Sequence, residues 1–253
     1  MKKFLFLTDL HSIFIDFDIL KKALEEDADH LLLGGDLFEC YSAGLYPQNT
    51  YIPMSEEWDV TQRVMLLLCE KYKEVTAIMG NHDARPDRRV AEFNLGFKDF
   101  ASKPLLFRLK DGDVYRNKRW SNDPSKVLHN LEVPNLDSGH PSWFAHIGNT
   151  LIAHTEKYSK TPGAIAKQTY EAFFQEKKDI DLVLVGHLHR ANIVYTKNVV
   201  LVEAPCLCKP PEYAKQNPAL RYSSKQSAGY VTFCQDENGA LIRESINLKV
   251  FNQ

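Results

Sequence analysis

Two histidines separated by one residue end an apolar run in the segment DLVLVGHLHR, residues 181–190. His187 follows a glycine directly, and His189 comes two residues later. Side chains two residues apart in an extended chain project to the same side, so this pair can offer two imidazole nitrogens to one point. Neutral imidazole is the commonest protein ligand for metals, and the spacing therefore predicts a metal-binding pair.

Carboxylates, imidazoles and one amide follow other short apolar runs of the chain in the same way. Such a mixture of oxygen and nitrogen ligands suits borderline divalent metals such as manganese, iron or zinc. The number of these groups favours two ions that share a bridging carboxylate over a single ion. The residues at these positions are Asp9, His11, Asp36, Asn81, His82, Asp83 and His154.

The motifs that contain these residues resemble the ordered signature of the calcineurin-like metallophosphoesterase superfamily. They are DLH, GDLFE, GNHD, AHT and GHLH, and they span residues 9–189. The resemblance implies a dinuclear metal centre in which each ion has three ligands of its own and one carboxylate is shared. These ligands are Asp9, His11 and His189 for the first ion, Asn81, His154 and His187 for the second, and Asp36 as the bridge.

The resemblance also implies two catalytic residues, His82 and Asp83. His82 would contact the phosphate and protonate the leaving group, and Asp83 would orient the His82 imidazole. Two neighbouring cations lower the pKa of a bridging water, so that hydroxide is available to attack phosphorus at neutral pH. Manganese is the expected metal for both positions, with iron, zinc, nickel and cobalt as alternatives.

An alternation of short apolar runs with helical patterns predicts the elements that must position these residues. After Arg190 the pattern changes to strands alone, with DENG as a hairpin turn. The alternation predicts a layered α/β domain with ligands at the carboxyl ends of the strands. Strands are expected at KFLFLT, HLLLGG, VTAIMG, NTLIAH, DLVLVG, NIVYT, NVVLVEA, AGYVTFCQ and ALIRESINL, and helices at residues 16–26, 57–72, 86–100 and 162–177.

The family resemblance implies a more specific architecture, a four-layer fold with a two-sheet β-sandwich core flanked by helices. We expect one metallophosphoesterase domain over residues 1–253, with insertions near residues 40–59 and 101–149. Long excursions at the functional edge of a sheet are often lids or substrate walls, although surface elaborations without catalytic consequence fit equally well.

Composition excludes some classes of protein. A net charge of −2 at pH 7 excludes a globally basic DNA-coating protein. No apolar run approaches the about 18 residues that a membrane span requires, so no membrane partner is expected. Five scattered cysteines without a C-x-x-C pair suit a reducing cytoplasm better than a disulfide framework. Cys206 and Cys208 could contact a metal, but packed thiols are the simpler interpretation because His and Asp already serve borderline metals.

The segment after GNHD bears on the substrate. Arg85, Arg88 and Arg89 are candidate substrate-binding residues, and residues 85–119 carry ten Lys or Arg against five Asp or Glu. Such a patch could bind a polyanion, with aromatic residues of YRNKRW stacking on a base, or it could be a solvated face with ordinary ion pairs.

We therefore expect a phosphodiesterase or phosphatase that acts on a nucleotide-like or nucleic-acid-end substrate. A DNA exonuclease acting with a partner is the main alternative. A pyrophosphohydrolase of the lipid A type is disfavoured, since those enzymes usually carry arginine where His82 stands. A non-catalytic scaffold is disfavoured because every motif position is filled. The sequence carries no signal of oligomeric state.

Overall fold

The structure, a computed structural model, describes residues 1–44, 51–93, 103–137, 139–210 and 226–251. The strands in these ranges are β1 (Lys2–Leu7), β2 (His30–Leu33), β3 (Glu74–Ala77), β4 (Asp113–Arg116), β5 (Arg119–Asn122), β6 (Leu131–Glu132), β7 (Phe144–Ile147), β8 (Thr150–Ala153), β9 (Leu182–Val185), β10 (Asn192–Tyr195), β11 (Val200–Glu203), β12 (Ala228–Gln235) and β13 (Leu241–Phe251). The α-helices are α1 (Phe17–Leu24), α2 (Met54–Lys71), α3 (Arg85–Phe93), α4 (Leu105–Lys110) and α5 (Ala164–Phe173).

Two mixed sheets form the centre of the molecule. The first has the order β13-β12-β1-β2-β3-β6 and the second the order β10-β11-β9-β8-β7. In the first sheet β1, β2, β3 and β6 are parallel, whereas β12 and β13 add antiparallel strands at one side. In the second sheet β8, β9 and β11 are parallel. The parallel strands of each sheet therefore end at one edge of that sheet, where ligands commonly bind.

Alternation of side chains along the strands divides the core into layers. Phe4 and Phe6 of β1 point into the cluster between the two sheets, where Ile152 of β8 and Leu184 of β9 also lie. The intervening residues of β1 and β2 pack instead against α1 and α2, and Leu151 of β8 belongs to the cluster that α5 covers. Helices thus cover the outer faces of two packed sheets, which confirms the predicted four-layer sandwich.

The helices begin and end differently from the sequence predictions in places. Helix α2 begins at Met54, inside the predicted insertion at 40–59, because Pro53 is compatible with a helix start and Glu56 lies in a first turn that favours negative charge. Residues 45–50 and 94–102 lie outside the described ranges, so parts of both predicted insertions and of the third predicted helix do too. No described helix combines the length and the apolar character needed to cross a membrane.

Candidate metal centre

Chemically capable side chains follow the carboxyl ends of strands from both sheets. Asp9 lies two residues after β1 and Asp36 three residues after β2. His154 follows β8 directly, and His187 lies two residues after β9. The sandwich brings these ends together, because the backbone N–H of His187 in the second sheet donates to the Asp9 carboxylate in the first over 2.9 Å.

The backbone at these strand ends is in an unusual conformation. Left-handed φ angles cost an L-residue about 1–3 kcal/mol each and persist only where the surroundings impose them. Here they fall on five of the predicted metal ligands. These are Asp9 at 53°, His11 at 40°, Asp36 at 52°, His187 at 80° and His189 at 49°.

Two glycines of the motifs allow the chain to pass close to the ligands. A Cβ atom on Gly80 would lie 2.3 Å from the backbone nitrogen of Asp36. Gly35 has a φ of +89°, and its Cβ would lie 2.7 Å from the Nδ1 atom of His154. Larger residues at either position would displace a predicted ligand, which explains the glycines of GGD and GNHD physically.

The first ligand group consists of Asp9, His11, Asp36 and His189. The Nε2 atoms of His11 and His189 lie 3.2 Å apart, and His189 Nε2 lies 3.1 Å from Asp9 Oδ1. Asp36 Oδ2 is 3.7 Å from His11 Nε2. The donor atoms of these side chains therefore converge on one small volume.

The second ligand group consists of Asp36, Asn81, His154 and His187. Asn81 Oδ1 lies 3.1 Å from His154 Nε2 and 2.9 Å from His187 Nδ1. The Oδ2 atom of Asp36 is 3.2 Å from His154 Nε2. Because the other ring nitrogen of His154, Nδ1, donates to the carbonyl of Gly34 over 2.8 Å, His154 Nε2 is left as the ligand atom.

The electrostatics of the centre depend on the buried carboxylates. Burial opposes ionisation of Asp36, but the adjacent His154 and His82 hold the pKa of this carboxyl well below its ordinary value. Burial likewise opposes the charge on His154, but Asp36 raises the pKa of this imidazole to about 9. Burial and His154 lower the pKa of His187 to about 4. The buried carboxylate of Asp36 therefore stays ionised, and bound cations would compensate its negative charge.

The donor set fits two borderline divalent ions, because it combines carboxylate and amide oxygens with imidazole nitrogens. Among the described residues, four overlapping triplets have ligand atoms that all lie within 4.8 Å of one another. The triplets are Asp9, His11 and Asp36; Asp36, His154 and His187; His11, Glu39 and His82; and His11, His189 and Cys208.

The predicted acid, His82, lies beside the two ligand groups. Its Nδ1 atom is 3.0 Å from the Glu39 carbonyl and 3.1 Å from the Glu39 carboxylate. The predicted orienting residue, Asp83, accepts hydrogen bonds from the backbone N–H groups of Phe38 and Gly80, each over 2.9 Å. Among the described contacts Glu39 therefore orients His82, and Asp83 anchors the GNHD loop. The orienting role predicted for Asp83 is not among these contacts and stays a prediction.

Glu39, the last residue of GDLFE, is not among the predicted site residues. Its Oε2 atom also lies 2.7 Å from His11 Nδ1, so one carboxylate faces two imidazoles of the centre. Burial opposes ionisation of Glu39, but His11 and His82 hold its pKa below the ordinary value. The only signal in the sequence was the acidic residue three positions after Asp36.

A family comparison decides the wider assignment. The family model described as calcineurin-like phosphoesterase matches residues 2–191, three quarters of the chain. The chain belongs to this family. Membership gives it the general activity of a phosphoesterase that uses divalent metals, which was the class expected from the motifs.

Several solved structures are similar to this calcineurin-like phosphoesterase at low sequence identity. A metallophosphoesterase from Sphaerobacter thermophilus has 13% identity and a TM-score of 0.46, over 92% of this chain and 83% of that one. Vps29 complexed with zinc from Entamoeba histolytica has 12% identity and a TM-score of 0.46, over 98% of each chain. Vacuolar protein sorting 29 from Cryptosporidium parvum has 12% identity and a TM-score of 0.43, over 100% of this chain and 98% of that one. These values carry no argument about substrate, and no curated protein matches significantly.

The three candidate arginines of the phosphoesterase have different surroundings. Arg85 reaches the centre, where its Nη2 atom donates to His82 Nε2 over 2.7 Å and its Nη1 atom to the Glu39 carbonyl over 2.8 Å. Arg88 lies 5.4 Å from the centroid of the Trp143 ring. Arg89 points away, to the carbonyl of Ala43 at 3.0 Å. The structure thus brings only Arg85 into direct contact with the predicted catalytic residues.

A cavity of about 560 Å³ lies beside the second ligand group. One wall is the β7–β8 edge of the second sheet and another is α5. His154 belongs both to this cavity and to the second ligand group. The cavity is also lined by Arg88, Trp143, Phe144, Gln168 and Phe173.

The aromatic residues of YRNKRW pack within the phosphoesterase itself. Tyr115 and Trp120 lie with ring centroids 4.9 Å apart, and Trp120 meets Trp58 edge-on at 4.8 Å. Arg108 lies 4.2 Å from the centroid of the Trp120 ring. These contacts hold the β4–β5 hairpin against α2.

Proposed function

We propose that the protein is a dinuclear metal-dependent phosphoesterase that hydrolyses a small, nucleotide-like phosphate ester. One observation carries the proposal. The same oxygen of Asp36, Oδ2, lies 3.7 Å from His11 Nε2 and 3.2 Å from His154 Nε2, so it belongs to both ligand groups. A carboxylate shared in this way is what two neighbouring cations need as a bridge.

The residues that would hold the metals are the two ligand groups. When bound, two divalent ions would supply an activated water and offset the charge of the phosphoryl group. Manganese is proposed as the physiological metal, with iron, zinc, nickel and cobalt as alternatives. The ligands of the first ion would be Asp9, His11 and His189, those of the second Asn81, His154 and His187, with Asp36 common to both.

The protein's own acid would be His82. Burial opposes its charged form, but Asp36 and Glu39 outweigh this effect and raise the pKa of the imidazole. Glu39 holds the proton on Nδ1, and Nε2 faces the Arg85 guanidinium. A phosphate oxygen would interact with Arg85, and protonated His82 would donate its Nε2 proton to the departing oxygen.

The cavity supports a small substrate. Its volume lies within the about 300–1,000 Å³ typical of small-molecule sites. Trp143 and Phe173 offer aromatic faces for a base, and Gln168 offers an amide for recognition of its edge. Since His154 also lines this cavity, a nucleotide could place its phosphate at the metals and its base here.

The alternative of a DNA exonuclease is less favoured by the contacts of the basic segment. Arg88 pairs with Glu156, and Arg89 pairs with Glu92 over 2.8 Å. Further along, Arg108 pairs with Asp113 over 3.2 Å. Charges neutralised within the protein attract a nucleic-acid backbone less strongly.

The proposal includes one domain over residues 1–253, with insertions near 40–59 and 101–149, and a cytoplasmic location. The location is proposed from the cysteine pattern, five scattered residues without a C-x-x-C pair, which suits a reducing compartment better than a disulfide framework.

A substrate screen tests the proposal. Metal-free protein would be reloaded with manganese and incubated with p-nitrophenyl phosphate, bis-p-nitrophenyl phosphate, cyclic nucleotides and labelled DNA. We expect turnover of the small diesters and nucleotides that exceeds turnover of DNA. The metal-free protein serves as the control. Efficient degradation of DNA would favour the exonuclease, and the absence of turnover with any metal would favour a scaffold.

A further inference from the structure

A thiol lies beside the first ligand group. The Sγ atom of Cys208, one ring nitrogen of His11 and one ring nitrogen of His189 lie within 4.8 Å of one another. Cys208 is 1% exposed, so the sulfur faces the interior. Cysteine thiolate is a strong metal ligand, and histidine and cysteine together form many protein metal sites.

The backbone fixes the position of this thiol. The N–H of Leu207 donates to the carbonyls of Thr8 and Asp9, over 3.1 and 3.2 Å. Cys208 itself forms a β-bridge with Ile15. The segment after β11 is therefore attached to the strand end that carries the first metal ligands, and the location of the sulfur follows from these contacts.

The side-chain amide of Gln226 lies beside the sulfur of Cys208. Gln226 Nε2 donates to the sulfur of Cys208 over 3.3 Å and to that of Cys206 over 2.8 Å. The same amide reaches the carbonyl of Cys208 over 3.1 Å. Hydrogen bonds to a ligand from outside the metal sphere orient it and tune the metal.

We propose that Cys208 is a protein ligand of the first metal ion, next to Asp9, His11, Asp36 and His189. This inference rests on the proposed metal centre. On binding, the thiol proton leaves to solvent and a sulfur–metal bond forms. The second ligand group has only oxygen and nitrogen donors. Because thiolate suits zinc or iron better than manganese, this inference replaces manganese at the first position with zinc or iron and keeps manganese for the second.

Cobalt spectroscopy tests this assignment. Metal-free protein is titrated with Co²⁺, and the near-ultraviolet thiolate-to-cobalt charge-transfer band is followed together with the bound cobalt. The wild type should develop the band with its first ion. Cys208→Ser should lose the band while retaining cobalt at the second position. Cys206→Ser tests the adjacent thiol, which also hydrogen-bonds to His189. The matched control is Cys234→Ser, which lies opposite Lys3 at the other end of β1. Both should keep the band.

The outcomes separate this inference from the proposed function. If the wild type binds cobalt without the band, the role of Cys208 is overturned and the metal centre is not. If only Cys206→Ser loses the band, the thiolate ligand is Cys206, and the proposal for Cys208 is wrong. Failure of the wild type to bind cobalt overturns the metal centre as well. X-ray absorption of the zinc-loaded wild type gives an answer that needs no variant. A sulfur neighbour at about 2.3 Å is expected, and a shell of only nitrogen and oxygen contradicts the proposal.

Discussion

The side chains of His82 and Arg85 meet in the candidate site, where the guanidinium Nη2 atom donates to the imidazole Nε2 atom over 2.7 Å. In this arrangement Nε2 accepts a hydrogen bond, and the ring proton lies on Nδ1 towards Glu39. To act as an acid, His82 must gain a proton on Nε2, and Arg85 must turn from the ring to the phosphate. The pair therefore links substrate binding to protonation of the acid.

His82→Ala should retain both metal ions and lose about 10²–10⁴-fold in turnover, the usual contribution of a positioned general acid. The loss should be smaller for p-nitrophenyl esters, because their leaving group needs little protonation. Turnover of p-nitrophenyl and alkyl phosphate diesters by the same preparation provides the comparison. Equal losses for good and poor leaving groups would show that His82 is not the acid.

Glu39→Gln should weaken metal binding about 10–100-fold, the usual cost of removing a carboxylate that supports a metal-bound histidine. The affected ligand is His11, whose Nδ1 atom lies 2.7 Å from the Glu39 carboxylate. Titration of metal-free protein against a competing chelator measures the affinity. Glu92→Gln, an exposed change on α3, is the control. Unchanged affinity in Glu39→Gln would remove Glu39 from the account.

Arg88→Ala should raise KM for a nucleotide ester roughly fivefold, or about 1 kcal/mol, because Arg88 lines the cavity in which the base is proposed to bind. Hydrolysis of p-nitrophenyl phosphate should change little, because this ester does not fill the cavity. Arg89→Ala, whose guanidinium contacts Ala43 and Glu92, is the matched control and should resemble the wild type. Equal effects of both variants would contradict the role of the cavity.

Salt dependence separates a small substrate from a polyanion. A single-stranded nucleic acid would give a slope of about −0.7 in log affinity against log salt for each phosphate neutralised. We expect only weak dependence for the preferred substrate. A steep slope that disappears when Arg88 and Arg89 are both changed to glutamate would support the exonuclease instead.

Glu26→Gln should lower stability at neutral pH by up to about 1 kcal/mol. Burial raises the pKa of Glu26, but hydrogen bonds from Lys249 and Lys3 outweigh it and hold the pKa below the ordinary 4.5. Because the unfolded chain then binds the proton more readily, this contribution is present above pH 4.5 and is lost as pH falls through the folded pKa. Urea unfolding between about pH 3 and 7, a range that includes the pKa of a glutamate carboxyl, measures the difference in the free energy of unfolding between wild type and variant.

The control for this comparison is Glu74→Gln, which removes the more exposed pair with Lys2. It should change stability by less than about 0.5 kcal/mol at neutral pH. A difference between wild type and Glu26→Gln that grows as the pH falls would contradict the argument.

The sequence was sufficient for the strands and for the positions of the candidate ligands that follow them. Apolar runs such as KFLFLT and DLVLVG predict buried strands because both faces of each strand are covered, and the polar residues after them are close in sequence to the strand ends. The predicted strands include β1, β2, β3, β8 and β9 within three residues of their described bounds. Local pattern is informative here because position along the strand alone determines where the ligand lies.

Contacts between distant segments could not be predicted in this way. Glu39 meets His82 across 43 residues, and Cys208 reaches the centre from the loop after β11, a segment whose path depends on contacts with Thr8 and Asp9. Arg88 and Arg89 look equivalent in sequence. Neighbours on a helix point about 100° apart, however, so the two side chains have different environments.

The most direct measurement is the metal content of Asp36→Asn beside its turnover. If Asp36 bridges two ions, the neutral amide cannot offset both charges, and the affinity for metal should fall. The fall should exceed about 10–100-fold, the usual cost of removing a side chain that supports a metal ligand. Elemental analysis of the wild type should find two equivalents with turnover of a phosphate diester, and the folded variant should hold at most one and lose turnover. Two retained equivalents with normal turnover in Asp36→Asn would contradict the account.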